Sequence, residues 1–308
     1  MINNNMFDFE KNNLFSIEEI AEKLNKEIIS QTIAKKLLTV ALYEQKEKFN
    51  SIKNMQKTNC FLTSTPNCLL MGPTGCGKTS LVETLLNIFN LPYVKIDAKN
   101  EFFNKDILSL YNNLCNKAFG DHIAAQYGVI FIDNIDELEK RDVMNKGLLK
   151  LFDNTLPNEM KNILIIGAGS FEDVASKVSK RITLGNPYEF ILESDLPTLG
   201  KYFKNFIVMH PLMKDDLITI LKETNHTNLN YYIEEFKKYN ITLNFTDDAI
   251  EKIVLEALKL KDGAHSLNRL LFKAIYLLQY KLLNSKNVKS CTITKESLNG
   301  YVDPIIES

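Results

Sequence analysis

Short apolar runs alternate with amphipathic stretches over the first two thirds of the chain. The apolar runs lie at 68–71, 93–96, 129–132, 163–166 and 206–209. Stretches with helical periodicity lie at 17–24, 32–49, 78–89, 106–118, 143–152 and 172–179. Short strands that alternate with helices predict a mostly parallel sheet with helices on both faces, which is the α/β fold class.

The hydrophobic pattern changes after Pro211. Helical periodicity dominates from there, at 215–221, 247–258 and 263–283, and two β-like runs lie at 241–245 and 290–294. The residues before Ser16 are mostly polar. The sequence therefore predicts a flexible N-terminus over 1–15, an α/β domain over 16–210 and a mainly helical C-terminal domain over 211–308.

Composition excludes several classes of function. The net charge of −1 over 308 residues gives no overall field that would attract nucleic acid or an anionic membrane. The sequence has no long apolar run and no signal-peptide core, so we expect a cytoplasmic protein without a membrane segment. The five cysteines show no Cys-x-x-Cys spacing, which argues against a zinc site or a disulfide framework.

A glycine-rich loop that ends in lysine and threonine follows the run at 68–71. Its residues are Gly72, Pro73, Thr74, Gly75, Cys76, Gly77, Lys78 and Thr79, and Ser80 comes next. This is the Walker A pattern, in which backbone N–H groups and a helix N-terminus hold phosphates. Lys78 is expected to reach the β- and γ-phosphates of ATP, and Thr79 is expected to ligate Mg²⁺. An ordinary glycine-rich turn is the alternative, and the flanking strand and helix argue against it.

The apolar run at 129–132 leads directly into a carboxylate, Asp133. This is the Walker B arrangement, and Asp133 is expected to hold Mg²⁺ through its coordination shell. An aspartate that only caps the turn after a strand is the alternative. The P-loop upstream favours the magnesium role.

Asn134 occupies the position at which an ATPase of this architecture needs glutamate to polarise the attacking water. An amide cannot accept that proton, and the loss of a general base typically lowers the rate by about 10²–10⁴. Asp136 and Glu137 are nearby candidates to replace the base, but they would project from the following turn. We therefore expect weak or absent hydrolysis.

Four segments together resemble the ClpX subfamily of AAA+ ATPases, and the resemblance runs over about residues 16–302. The segments are 67–79, similar to the family's P-loop, 27–36, similar to its adenine-side motif, 163–171, similar to its sensor-1 strand, and 262–267, similar to its sensor-2 helix start. Ile28 and Ile29 are the candidate adenine-side contacts, and Ser30 stands where glycine is usual. The resemblance implies an α/β ATPase domain, a helical lid, ATP at subunit interfaces and a hexameric ring that threads proteins into a peptidase.

Several departures from the family fall on functional positions. The family's N-terminal zinc domain is not found in this sequence, Asn134 replaces the catalytic glutamate, and His265 replaces the sensor-2 arginine. No arginine lies at 200–202, where the trans-acting arginine finger is expected. The two pore loops are shortened to 100–104 and 153–158. The residues that hydrolyse ATP and grip protein are therefore expected to be degenerate.

Two positions offer substitutes for the missing arginines. Lys201 or Lys204 could replace the finger, but lysine is a point charge, and a solvated surface lysine is the alternative. Arg269 lies four residues after His265 on the same helical face, within reach of a γ-phosphate if the sensor-2 role has moved. Ordinary helix surface is the alternative for Arg269.

The elements that would contact protein partners are also altered. Phe102 and Phe103 are either a peptide grip or buried side chains. The peptidase-docking loop is shortened to 181–187 and lacks the family's Ile/Leu-Gly-Phe tripeptide. Because a few buried anchors carry most interface energy, docking to a ClpP-type peptidase is expected to fail.

Cys76 lies inside the phosphate loop, just before the predicted helix. A thiolate there would be stabilised by the helix dipole and by Lys78. A thiol alkylator is therefore expected to block ATP binding, provided that the sulfur is exposed. A cysteine that merely supplies a small side chain is the alternative.

The interpretation favoured by these residues is a ClpX-like AAA+ ATP-binding protein with slow or lost hydrolysis. It would act as an ATP-stabilised regulatory or assembly subunit in a homo- or hetero-oligomeric ring, with a hexamer implied by the resemblance. The alternative is an active protein unfoldase or chaperone subunit of a Clp-type protease, with relocated catalytic groups. A DNA-acting loader is disfavoured, because the net charge is −1 and the sequence has no basic stripe.

Overall fold

The structure is a computed structural model of the chain. It describes residues 16–53, 66–99, 107–140, 152, 160–223, 228–260, 262–282, 288–299 and 304–307. The chain forms two compact units. The described residues of the first unit lie within 16–24, Gln31–Pro73 and Lys78–His210, and those of the second lie within Asn25–Ser30, Thr74–Gly77 and the residues from Pro211 onward.

A five-stranded sheet forms the centre of the first unit. Its strands are β1 (Cys68–Met71), β2 (Tyr93–Asp97), β3 (Val129–Asp133), β4 (Leu164–Gly169) and β5 (Asn205–Val208). The strand order is β2-β3-β4-β1-β5, and every neighbouring pair is parallel. The apolar runs predicted this sheet because strands covered on both faces need few polar residues, and the predicted α/β fold is confirmed.

Helices precede the sheet and connect its strands. They are α1 (Ile17–Glu27), α2 (Thr32–Lys53), α3 (Lys78–Phe89), α4 (Ile107–Lys117), α5 (His122–Gln126), α6 (Glu137–Lys140) and α7 (Glu172–Ser179). The helix α5 was not predicted from the sequence, because a five-residue helix is too short to show periodicity. Its start is nevertheless marked by Asp121, whose side chain accepts hydrogen bonds from the N–H groups of Ile123 and Ala124. The predicted helix at 143–152 lies outside the described residues, apart from residue 152.

The second unit has four α-helices and three strands among its described residues from Pro211 onward. The helices are α8 (Lys214–Glu223), α9 (Asn228–Lys238), α10 (Asp247–Lys259) and α11 (Ala264–Leu282). The strands are β6 (Thr242–Phe245), β7 (Ser290–Ile293) and β8 (Ile305–Glu307), in the order β6-β7-β8. Neither α9 nor β8 was predicted from the sequence. Leu217, Val254 and Leu267, from α8, α10 and α11, are fully buried in one cluster that holds this unit together.

The parallel arrangement brings chemistry to one edge of the first unit's sheet. β4 lies between β1 and β3, so the loop that leaves β1 is one strand away from the carboxylate at the end of β3. In this register Met71 pairs with Gly169, and Asp133 pairs with Ala168. The carboxyl edge of such a sheet is where ligands of open α/β folds bind.

Among the described residues, none of the helices combines the length and the apolar composition that a bilayer crossing needs.

Candidate nucleotide-binding site

The backbone of the phosphate loop requires its glycines. Gly75 and Gly77 have φ values of +74° and +96°, a region that residues with a Cβ rarely adopt. Gly72 has a different reason, because a Cβ there would lie 2.5 Å from the carbonyl oxygen of Met209. The three glycines of the Walker A pattern are thus each required by the backbone, two by positive φ values and one by a close contact.

Lys78 begins α3 and turns its side chain back to the start of the loop. Its Nζ atom donates to the carbonyl oxygens of Gly72, at 2.7 Å, and Pro73, at 2.9 Å. These bonds hold the ammonium group beside the loop backbone, where a phosphate would compete with the carbonyls for its protons. Ser80, which is half-buried, follows in the first turn of α3.

Thr79 and Asp133 meet across the sheet edge, although 54 positions separate them in the chain. The Thr79 hydroxyl donates to Asp133 Oδ2 at 2.9 Å. The Asp133 side chain is 14% exposed, and its Oδ1 accepts the N–H of Asn134 at 3.1 Å. A hydroxyl and a carboxylate are hard oxygen donors of the type that Mg²⁺ prefers, so the pair fits the predicted magnesium role.

Asn134 uses its side chain as a donor rather than as a base. Its Nδ2 group donates to Asp97 Oδ1 at 2.9 Å, and the backbone N–H of Lys99 donates to the same oxygen at 2.9 Å. Asn134 adopts a φ of +53°, which asparagine tolerates better than most residues do. Asp97 is the partner of Asp133 in the β2–β3 register, so the amide is bound to the strand beside the Walker B carboxylate.

The two nearby carboxylates proposed as replacements occupy different surroundings. Asp136 is 4% exposed, and its Oδ2 accepts the hydroxyl proton of Ser170, just after β4, at 2.9 Å. Glu137 begins α6 and is half-buried. The Asp136 carboxylate is thus engaged with the end of the sensor-1-like strand, which weakens the case for it as a relocated base.

Lys95 lies beside the Walker B carboxylate and, like Asp97, was not predicted as a site residue from the sequence. Its Nζ atom lies 3.3 Å from Asp133 Oδ2 and 2.8 Å from Glu83 Oε1. It also lies 5.6 Å from the centre of the Phe131 ring. Burial lowers the pKa of Lys95, but the hydrogen bonds and negative charges of Glu83 and Asp133 outweigh that effect and raise it, so the group is cationic at neutral pH.

The register explains why Lys95 reaches the site. Residues two apart on a strand share a face, and Lys95 pairs with Phe131 while Asp97 pairs with Asp133. Lys95 is therefore a diagonal neighbour of Asp133 across parallel strands. A lysine inside the run Tyr-Val-Lys-Ile-Asp was the available signal, but only the pairing of β2 with β3 identifies its partner.

The second unit contains part of the phosphate loop and the four other residues predicted to contact the nucleotide. The N–H of Ala264 donates to the Gly75 carbonyl at 3.1 Å, so the loop segment Thr74–Gly77 contacts the start of α11. His265 and Arg269 follow on α11, and both are exposed. Ile28 is 5% exposed and Ile29 is half-buried. The nucleotide roles of these four side chains stay predictions.

Cys76 does not meet the condition set for its reactivity. The residue is only 2% exposed, and its sulfur is not part of a disulfide. Alkylation requires an accessible thiolate, so rapid loss of ATP binding on alkylation is not expected from this structure. The cysteine instead fits the simpler interpretation, a small side chain at a buried position.

The other predicted functional segments are described only in part. The pore-loop segments 100–104, including Phe102 and Phe103, and 153–158 lie outside the described residues. Lys201 places its ammonium 4.8 Å from the centre of the Tyr202 ring, and Lys204 is exposed. Neither lysine has the guanidinium fork of an arginine, so the loss of the arginine finger stays a prediction.

Sequence comparisons add a second line of evidence. Residues 68–186 match the family described as "ATPase family associated with various cellular activities (AAA)". The chain is 28% identical to the "ATP-dependent Clp protease ATP-binding subunit ClpX" of Borrelia duttonii (strain Ly), over an alignment of 344 residues that covers 94% of this chain and 80% of the relative. The protein of the same name from Borrelia recurrentis (strain A1) matches with the same identity and coverage.

The phosphate loop after β1, the carboxylate ending β3 and the family match define a P-loop protein of the AAA+ class. Within that class, the chain is ClpX-like. The resemblance stated from the sequence motifs is therefore confirmed.

Proposed function

We propose that this chain is a ClpX-like ATP-binding subunit that hydrolyses ATP slowly or not at all and acts as a regulatory or assembly component of an oligomeric AAA+ ring. The observation that carries the proposal is Asn134, an amide at the catalytic glutamate position whose side chain donates to Asp97. An amide that donates to Asp97 can orient that carboxylate, but it cannot take a proton from water.

Nucleotide binding is supported by groups that the proposed loss of hydrolysis leaves intact. Lys78 Nζ binds the Gly72 carbonyl at the start of the loop. The Thr79 hydroxyl lies 2.9 Å from Asp133 Oδ2. When bound, Mg²⁺ would be held by Thr79 directly and by Asp133 through its shell, and it would neutralise phosphate charge. The loop backbone and Lys78 would bind the phosphates of ATP.

Ring assembly is supported by similarity to two proteins whose names call them ATP-binding subunits of a Clp protease. Subunits of such rings bind nucleotide at their shared interfaces in the family that this chain resembles. A chain that keeps ATP bound without turnover would stabilise those interfaces by mass action. A cytoplasmic location and a protein partner belong to the same proposal.

The test is to measure ATP turnover and molecular size in the same sample, with and without ATP. We expect an increase in size with ATP, together with turnover far below about 1 s⁻¹ per subunit, the low end of ordinary enzyme rates. Turnover near that value would instead identify an active unfoldase-type ATPase. Constant size with and without ATP would contradict the assembly role.

A further inference from the structure

We propose that Lys95 is a built-in counter-ion of the Walker B carboxylate and makes nucleotide binding by this chain only weakly dependent on Mg²⁺. The proposal rests on the proposed nucleotide site and adds a property to it. Its basis is the 3.3 Å separation between Lys95 Nζ and Asp133 Oδ2. The same carboxylate oxygen accepts the Thr79 hydroxyl at 2.9 Å.

Besides Asp133, two residues define the position of the ammonium group. Glu83 binds Lys95 Nζ at 2.8 Å, and it lies on α3 four residues after Thr79, on the same face of the helix. Phe131 offers its ring 5.6 Å away. The Lys95 ammonium therefore lies between α3, which carries Thr79, and β3, which ends in Asp133, and its side chain is 36% exposed.

The local charges then change what a divalent cation gains. Without Lys95, Glu83 and Asp133 would present two negative charges to a cation near Thr79. With Lys95, one of these charges is neutralised and Asp133 Oδ2 already has a cationic partner. Mg²⁺ that binds near Asp133 is repelled by this ammonium or must displace it. Mg²⁺ also dehydrates reluctantly and requires near-octahedral geometry, so its net gain at this site is small.

The phosphates of ATP have other sources of positive charge. Lys78 supplies an ammonium group, and the loop N–H groups with the start of α3 supply a positive dipole. Lys95 adds a further cation at the sheet edge. Binding energy that the metal would otherwise provide can thus come from side chains that are always present.

The experiment is calorimetric titration of the full-length protein with ATP, once in excess EDTA and once in excess Mg²⁺. For the wild type we expect the two dissociation constants to agree within a factor of about three. For Lys95→Met we expect their ratio to rise by about tenfold or more, within the usual range of coupling between two ligands. By linkage, the affinity of Mn²⁺ for the ATP complex, measured by electron paramagnetic resonance, should rise by the same factor.

Three further variants separate the charge from the shape of the side chain. Lys95→Arg keeps the positive charge, so the dissociation constants for ATP in EDTA and in Mg²⁺ should stay similar. Lys95→Gln removes the charge and should behave like Lys95→Met. Lys117→Met removes an exposed lysine from α4 and should change nothing. Thermal unfolding curves without nucleotide establish that each variant is folded.

The outcomes distinguish this proposal from the proposed function. ATP binding that is equally metal-dependent in wild type and Lys95→Met overturns the role of Lys95 alone. Equal weakening of ATP binding by Lys95→Met with and without metal also overturns it, because the lysine would then be a simple phosphate contact. No ATP binding by the wild type under either condition overturns both proposals.

Discussion

At the scale of single residues, the proposed separation of nucleotide binding from nucleotide hydrolysis depends on Asn134. It changes the proton chemistry at one atom and leaves the neighbouring Thr79–Asp133 bond in place. Its amide also serves Asp97, which lies opposite Asp133 in the sheet. The substitution therefore has a local structural partner, and reversing it has a structural cost.

Asn134→Glu is expected to raise ATP turnover only modestly and to lower stability. The rate gain is limited because the base, the arginine finger and the sensor arginine act as a unit. The stability loss is about 1–2 kcal/mol, because a hydrogen bond to the Asp97 carboxylate is replaced by like-charge repulsion. Urea unfolding and a turnover assay measure the two effects.

The double variant Asn134→Glu with Asp97→Asn is the matched control. It removes the like charge, so most of the lost stability should return. If both variants are as stable as the wild type, the contact between Asn134 and Asp97 does not contribute as argued.

Lys78→Ala is expected to weaken ATP binding by roughly tenfold or more, because it removes a charge-assisted hydrogen bond to phosphate. Calorimetric titration measures the change. Lys180→Ala, which removes an exposed lysine after α7, should leave the affinity unaltered. Equal affinities in all three proteins would refute the assignment of the phosphate loop.

At the scale of elements, the turn between α1 and α2 carries strain that the sequence only hinted at. Ser30 and Gln31 both have φ values of +60°. The Gln31 side chain is buried, donates to the carbonyl of His210 at 2.8 Å and accepts its N–H at 3.0 Å. Glycine is the usual residue of the related family at position 30, and the backbone conformation supplies the reason.

Ser30→Gly is therefore expected to stabilise the protein by about 0.5 kcal/mol, since relief of left-handed strain exceeds the entropy cost of glycine. The midpoint of urea unfolding should rise accordingly. Ser176→Gly, on the exposed face of α7, should lower stability by about 0.5–1 kcal/mol. Changes of the same sign in both variants would contradict this account of the turn.

At the scale of the whole molecule, the question is whether the chain works with a peptidase. The loop at 181–187 exposes Leu184, whose side chain is 88% exposed and stands before Gly185. Asn186 follows, where the related tripeptide has phenylalanine, and its side chain accepts the N–H of Tyr188. One apolar anchor is thus present and the aromatic anchor is replaced.

The purified protein is expected not to bind a ClpP-type peptidase in size-exclusion chromatography with ATP, because a few anchors supply most of the binding energy. Asn186→Phe restores the order Leu-Gly-Phe and should increase retention of the peptidase. Asn186→Ala removes the same hydrogen bond without adding a ring and should not. Tight binding by the wild type that is lost on deleting 181–187 would contradict the prediction.

The sequence alone determined the positions of the strands in the parallel sheet and of the phosphate loop. The apolar runs located all five strands of the parallel sheet to within a few residues, because strands covered on both faces must be apolar over their whole length. The Walker A spacing identified the phosphate loop, because positive φ and close backbone approach leave only glycine at Gly72, Gly75 and Gly77. Both signals are local, so reading along the chain was sufficient.

What the tertiary structure decided is which distant side chains share the site. Asp97, Lys95 and Asp136 have ordinary sequence contexts, and their partners are set by the β2–β3 register and by the contact of Asp136 with Ser170 after β4. The burial of Cys76, which removes the expected thiol reactivity, is also a packing result. Charge pairing and burial depend on distances between segments far apart in the chain, and these distances exist only once the sheet has formed.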